Sequence, residues 1–257
     1  MRLLVTFLAA ATFATAAAAN PLPPRPGPLP SPIRQADAHF GEAADDTDFL
    51  FRLGMLEGHL MVGHELLLAD QTALALPHFG HPVRELYDDI GVYLDQHHFS
   101  PFDRQLIALE AAVTAAPKSA DTEKQYQATI DTIHKARALA PASLRASIPE
   151  MIQICSDTID AASGEFGESL EQGRVTTLVE YHDSRGFLAY VAQEVNDLRA
   201  AHPDAASQSV LDRFKGILAK AQWIVGDLMP VSTPRASVSS YRAVAAEAEQ
   251  LAKTSAQ

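Results

Sequence analysis

The sequence predicts an all-α fold, a helical bundle of about seven or eight helices with room for two sub-bundles. Three observations predict it. Apolar residues recur at helical rather than alternating spacing from residue 48 onward. Capping residues and prolines punctuate those stretches about one helix length apart. No run with strand-like alternation reaches a convincing length. A chain of 257 residues can bury one sizeable core or two smaller ones.

The elements follow in order. Residues 1–19 read as a secretory signal peptide: Arg2, an apolar Ala- and Leu-rich core, then Ala17-Ala18-Ala19 before Asn20. This predicts a periplasmic protein released by cleavage, and no later run is long and apolar enough to insert in a bilayer. Residues 20–47 form a proline-rich leader, NPLPPRPGPLPSP at its start, which is extended because proline cannot donate to a helix ladder. Residues 48–117 are a His-rich helical region and residues 118–257 a helical bundle, with a weak seam near 117–120.

Within the first region a helix is expected over 48–69, capped by the aspartates before it. Its one face carries Leu50, Leu53, Glu57, Leu60, Met61, His64 and Leu68. Gly54, Gly58 and Gly63 each cost this helix about 1 kcal/mol, which makes sense where another backbone packs closely or a bulky ligand approaches. Residues 70–80 are expected to be broken by Pro77, with a second helix over 81–96 and Pro82 in its first turn. A third helix starts at Ser100-Pro101 and ends before Pro117. Further helices are expected over 119–139, 148–171, 177–200, 205–228 and 237–253, with Gly173 closing the one before it.

Composition excludes several functions. A net charge of −12 argues against nucleic acid, whose binding needs a basic face. The single cysteine, Cys155, cannot form an internal disulfide and reads as a small buried hydrophobe. Nucleophile-elbow, phosphate-loop and dinucleotide fingerprints are absent from the sequence. The chain is therefore not expected to be an enzyme. His182, Asp183 and Ser184 are neighbours in sequence, whereas a triad is built in space.

The chemistry concentrates early. His59, His64, His78 and His81 fall within 23 residues, accompanied by Glu57 and Glu85. Imidazole and carboxylate are ligands for iron, copper or zinc, provided they share a face. Glu57 and His64 do so at i, i+7. His81 and Glu85 do so at i, i+4, and His78 joins them if helical phase continues through Pro82. His59 lies about 140° around the helix from His64, so those two are not expected to chelate one ion. The candidate metal ligands are His59, His64, His78, His81, Glu85 and Glu57, not all at once. Non-covalent haem is a related reading, with the glycine face of the first helix against the macrocycle.

The stretch 159–187 resembles helical domains attached to bacterial iron permeases. There a helix ends in a Gly-x-Val turn, and the next opens with Glu-Tyr-x-(Asp/Glu) and a later Phe. Gly173, Val175, Glu180, Tyr181, Asp183 and Phe187 match that pattern. The chain also resembles, more loosely, the imelysin-like iron-uptake proteins with their Gly-x-His-x-x-Glu motif. Here Gly80 directly precedes His81, and Glu85 follows four residues later. The resemblance implies a periplasmic partner in metal handling beside a membrane metal transporter or another periplasmic protein. The expectation is a periplasmic bundle that binds a transition metal ion, iron first, for uptake or homeostasis. The alternatives are a structural or interaction protein and a haem binder.

Overall fold

Three aspartates, Asp45, Asp46 and Asp48, mark the start of the first helix. In a computed structural model that describes residues 43–255 apart from the Glu85 side chain, Asp45 accepts hydrogen bonds from the backbone N–H groups of Thr47 and Asp48, each at 2.9 Å. It caps α1, Asp46–Leu68. The expected signal peptide and most of the proline-rich leader lie outside the described residues, which fall in one compact unit.

α1 buries nearly its whole circumference: Phe49, Leu50, Leu53, Leu56, Leu60, Val62 and Leu66 are all in the core. A helix buried on nearly every side is a central one. It packs on α2 (Thr72–His81), α7 (Ile148–Glu168) and, most extensively, α8 (Leu178–Ala201). The expected glycine cost is repaid by close helix packing. A Cβ on Gly186 would overlap the carbonyl oxygen of Gly58, and one on Gly58 would sit 3.0 Å from the carbonyl oxygen of Gly186. The two backbones therefore touch where α1 and α8 cross.

Residues expected to be broken form α2 instead. Pro77 lies inside it and forfeits one backbone hydrogen bond. The burial of Ala75, His78 and Phe79 against α1 and against α4 (Asp103–Ala115) offsets that loss. Asp70, at φ 64°, turns the chain between α1 and α2. Pro82 then opens a π turn, Pro82–Leu86, closed by the Tyr87 N–H donating to the Pro82 carbonyl, and α3 continues over Tyr87–Gln96. The helix expected over 81–96 is thus the tail of a longer path that begins at Thr72. α4 starts at Asp103, two residues after the expected proline, because the Phe102 N–H is held by the Tyr87 hydroxyl at 2.6 Å. α5 spans Ala120–Arg137, capped by Ser119.

The second half closes on itself. After the one-turn α6, Ala142–Arg145, the helices α7, α8, α9 (Ala205–Val225) and α10 (Val238–Ser255) each pack on the next, and α10 packs back on α7. Ile152, Ile159, Phe166, Phe187, Val191, Phe214, Leu218 and Tyr241 fill the centre. α7 stops at Glu168, earlier than expected. Gly173 does not close that helix. It forms, with Gln172, the two-residue turn of a hairpin pairing Leu170–Glu171 with Arg174–Val175. Both turn residues have positive φ, 51° and 74°, as a tight hairpin requires. Among the described residues there are ten α-helices, and none is long and apolar enough to cross a membrane.

Candidate metal centre

The α1–α8 crossing fixes the site. His59 directly follows Gly58, and Asp183 sits one helical turn before Gly186. The contact between those glycines brings the imidazole and the carboxylate together across two helices. α2 completes the group with His78 and His81 from its last turn.

Asp183 is the centre of the arrangement. His78 donates from Nδ1 to Asp183 Oδ1 at 2.7 Å. His59 Nε2 lies 3.4 Å from the same oxygen, and His81 Nδ1 lies 3.6 Å from Oδ2. His59 donates its Nδ1–H to the Met55 carbonyl at 2.8 Å, one turn back. That bond sets the tautomer, so the Nε2 lone pair of His59 is turned toward the carboxylate. A lone pair and a carboxylate oxygen repel at this range unless a cation lies between them.

The separations suit such a cation. Bonds of about 2.0–2.2 Å to nitrogen and oxygen give a tetrahedral ligand-to-ligand edge of about 3.4 Å. The 3.4 Å from His59 to Oδ1 matches that edge, and the 3.6 Å from His81 to the other oxygen, Oδ2, is slightly longer. One donor atom each from His59, His81 and Asp183 fall within 4.8 Å of one another. Two imidazoles and one carboxylate are also the donor set of facial non-haem iron(II) sites.

Burial and the neighbouring charges pull these groups in opposite directions. Burial resists ionisation of Asp183, but the surrounding His59, His78 and His81 overcome it and hold the carboxyl well below the usual carboxylate range. Burial pushes the His59 imidazole down against the pull of Asp183, and the neighbouring imidazoles add to the fall. His182, next to Asp183, is pushed down to about 4, chiefly by burial. Glu180, one turn before Asp183 on α8, is raised by burial and then by repulsion from Asp183, and its Oε2 is buried without a hydrogen-bond partner.

Not every residue expected here arrives. Glu57 and His64 do share a face of α1, but that face looks onto α5. Glu57 accepts from His134 Nε2 at 2.9 Å and from Gln193 Nε2 at 3.2 Å. His64 is 2.7 Å from Glu123 Oε2 and stacks on Tyr126 at 4.0 Å between centroids. Both are spent in hydrogen bonds away from Asp183. The Glu85 side chain lies outside the described residues. The face proposed for haem is filled by protein: Tyr190 covers Gly54, the α8 backbone covers Gly58, and Phe79 covers Gly63. No macrocycle can lie there.

Sequence reasoning missed Asp183 as the hub, and His182 beside it. Asp183 stands over a hundred residues from the histidines, and in the sequence it is marked only by a family pattern and as a neighbour of His182 and Ser184. The available signal was local: Glu180, His182 and Asp183 place three metal-competent side chains in four residues.

Comparison with known proteins adds a family to this geometry. No curated protein and no solved structure matches the chain. Residues 141–257, which hold α6 to α10 and so supply Asp183, match the iron permease-associated 4-helix bundle domain family, as the resemblance across Gly173, Glu180 and Phe187 predicts.

Proposed function

We propose that this chain binds a transition metal ion, iron foremost, as cargo for uptake or homeostasis, and that it works in the periplasm beside a membrane metal transporter. The carrying observation is the convergence of His59 from α1, His81 from α2 and Asp183 from α8, which bring one ligand atom each within 4.8 Å of one another. His59 Nε2, His81 Nδ1 and a carboxylate oxygen of Asp183 are the ligands. Glu180 stands one turn away with a free carboxylate oxygen. His78 holds Asp183 in place through its 2.7 Å hydrogen bond, as outer residues do around metal ligands.

Iron is preferred on two grounds. The donor set suits iron(II), and the matched family is one associated with iron permeases. His81 is partly exposed, 23 %, while His59 and Asp183 are nearly sealed, which gives the ion one side of entry. The role is binding rather than catalysis. The periplasmic address rests on the signal-peptide pattern of residues 1–19.

Metal content of the untagged protein, by elemental mass spectrometry, tests this reading. The expected result is near-stoichiometric iron in the wild type and a large loss in His81→Ala at unchanged helical content. Equal metal in the two proteins, or none in either after exposure to iron(II), contradicts it.

A further inference from the structure

Two buried imidazoles beside the proposed centre are not accounted for by it. His78 spends Nδ1 on Asp183, which leaves Nε2 as the lone-pair nitrogen. His182 donates from Nε2 to the Leu228 carbonyl at 2.9 Å, which leaves Nδ1 as its lone-pair nitrogen. Both of these remaining nitrogens are buried and have no hydrogen-bond partner. The side chains are 0 % and 1 % exposed, and the rings meet edge to face with centroids 5.6 Å apart. A buried acceptor without a donor is costly, so a pair of them on adjoining rings points to something that binds lone pairs.

We infer that His78 and His182 form a second cation site, one that takes a soft, low-coordinate ion of the Cu(I) class. The ligands are imidazole nitrogens, a donor that copper accepts. Both Asp183 oxygens already face other histidines, so the hard carboxylate ligand that iron(II) or manganese(II) would favour is committed elsewhere. Two imidazoles bound to one ion through bonds of about 2 Å have centroids about 6.3 Å apart at a linear ion and about 5.5 Å apart at a trigonal one, so the observed 5.6 Å fits a bent, trigonal ion. Position supports the assignment too. Exposure falls from His81 at the mouth, through His59 and Asp183, to His78 and His182 at the inner end. The inner pair is the most desolvated point of the histidine cluster, where an ion of low charge is least penalised.

The site is separate from the iron reading and can be tested separately. Purified full-length protein is titrated anaerobically with Cu(I) against a chromophoric Cu(I) chelator, and in parallel with iron(II). His182→Gln keeps a donor for the Leu228 carbonyl but removes the Nδ1 lone pair. It is expected to weaken Cu(I) binding by about tenfold or more while leaving iron(II) binding in place. His81→Ala is expected to do the reverse. X-ray absorption of the Cu(I)-loaded wild type reads the ligands directly, so the test does not depend on the variant folding. Two nitrogen neighbours support the site. Sulfur or oxygen ligation, absence of Cu(I) binding, or equal Cu(I) affinity in wild type and His182→Gln overturns it, whatever iron(II) does. Absence of iron(II) binding in the wild type overturns only the iron reading.

Discussion

Asp183 draws three imidazoles onto two oxygens, and each plays a different part. His59 has its tautomer fixed by the Met55 carbonyl, His78 is a donor to the carboxylate, and His81 is the one partly open to solvent. His78→Phe therefore removes an orienting bond and not a ligand of the iron site. Iron(II) affinity is expected to fall by about 10–100-fold, less than for His81→Ala, in the same titration. His134 offers a test remote from this centre. Its hydrogen bond with Glu57 raises its pKa above the ordinary 6.5, against the opposing effect of burial. A raised histidine contributes stability that is fully present below its unfolded value and fades as pH rises through the folded one. His134→Gln should thus lower the melting temperature more at about pH 5.5 than at about pH 8.5. Equal losses at both would show that the Glu57 pair carries no charge-dependent stability. At this scale the sequence was half legible. Residue types and their density near His59 and His81 marked the region. The partner across space did not show, because one aspartate in a distant helix has no periodic signature.

The elements explain how such distant residues meet. The helices of the second half lie close to their expected ranges, since caps at Ser119, Ser147 and Asp204 and breaks near Pro117 and Pro141 are local signals. The region around α2 was misread because Pro77 argues locally for a break, whereas burial of Ala75 and Phe79 on α1 holds the helix through it. The glycines of α1 were legible as a close approach, but only the structure shows that Gly186 of α8 is the counterpart. That contact is open to a matched pair of substitutions. Gly186→Ala forces a methyl into the Gly58 carbonyl and should destabilise the protein by about 1–3 kcal/mol in denaturant unfolding. It should also weaken metal binding, because Asp183 and His59 move apart with the helices. Gly91→Ala, within α3 and facing nothing within 4 Å, should instead stabilise by about 0.5–1 kcal/mol. A neutral Gly186→Ala would mean that the crossing is not as tight as this.

In the whole molecule, α8 serves two assemblies. One side completes the four-helix set of α7 to α10, and the other receives α1 and α2. The family match covers the first of these, while the histidines come from the second, so the proposed centre joins matched and unmatched parts of the chain. An ion held by α1, α2 and α8 stabilises only the folded arrangement. At a free iron(II) concentration 100 times the Kd, unfolding should cost about 2.7 kcal/mol more. For a protein of this size that is a rise of about 5–10 °C in melting temperature. A rise of the same size in Asp183→Asn would place the ion elsewhere. The most direct measurement is anaerobic iron(II) titration of the wild type and Asp183→Asn side by side. The account predicts one tight equivalent in the wild type and its loss in Asp183→Asn, with helical content retained. Tight binding of iron(II) by Asp183→Asn, or none by the wild type, would contradict it.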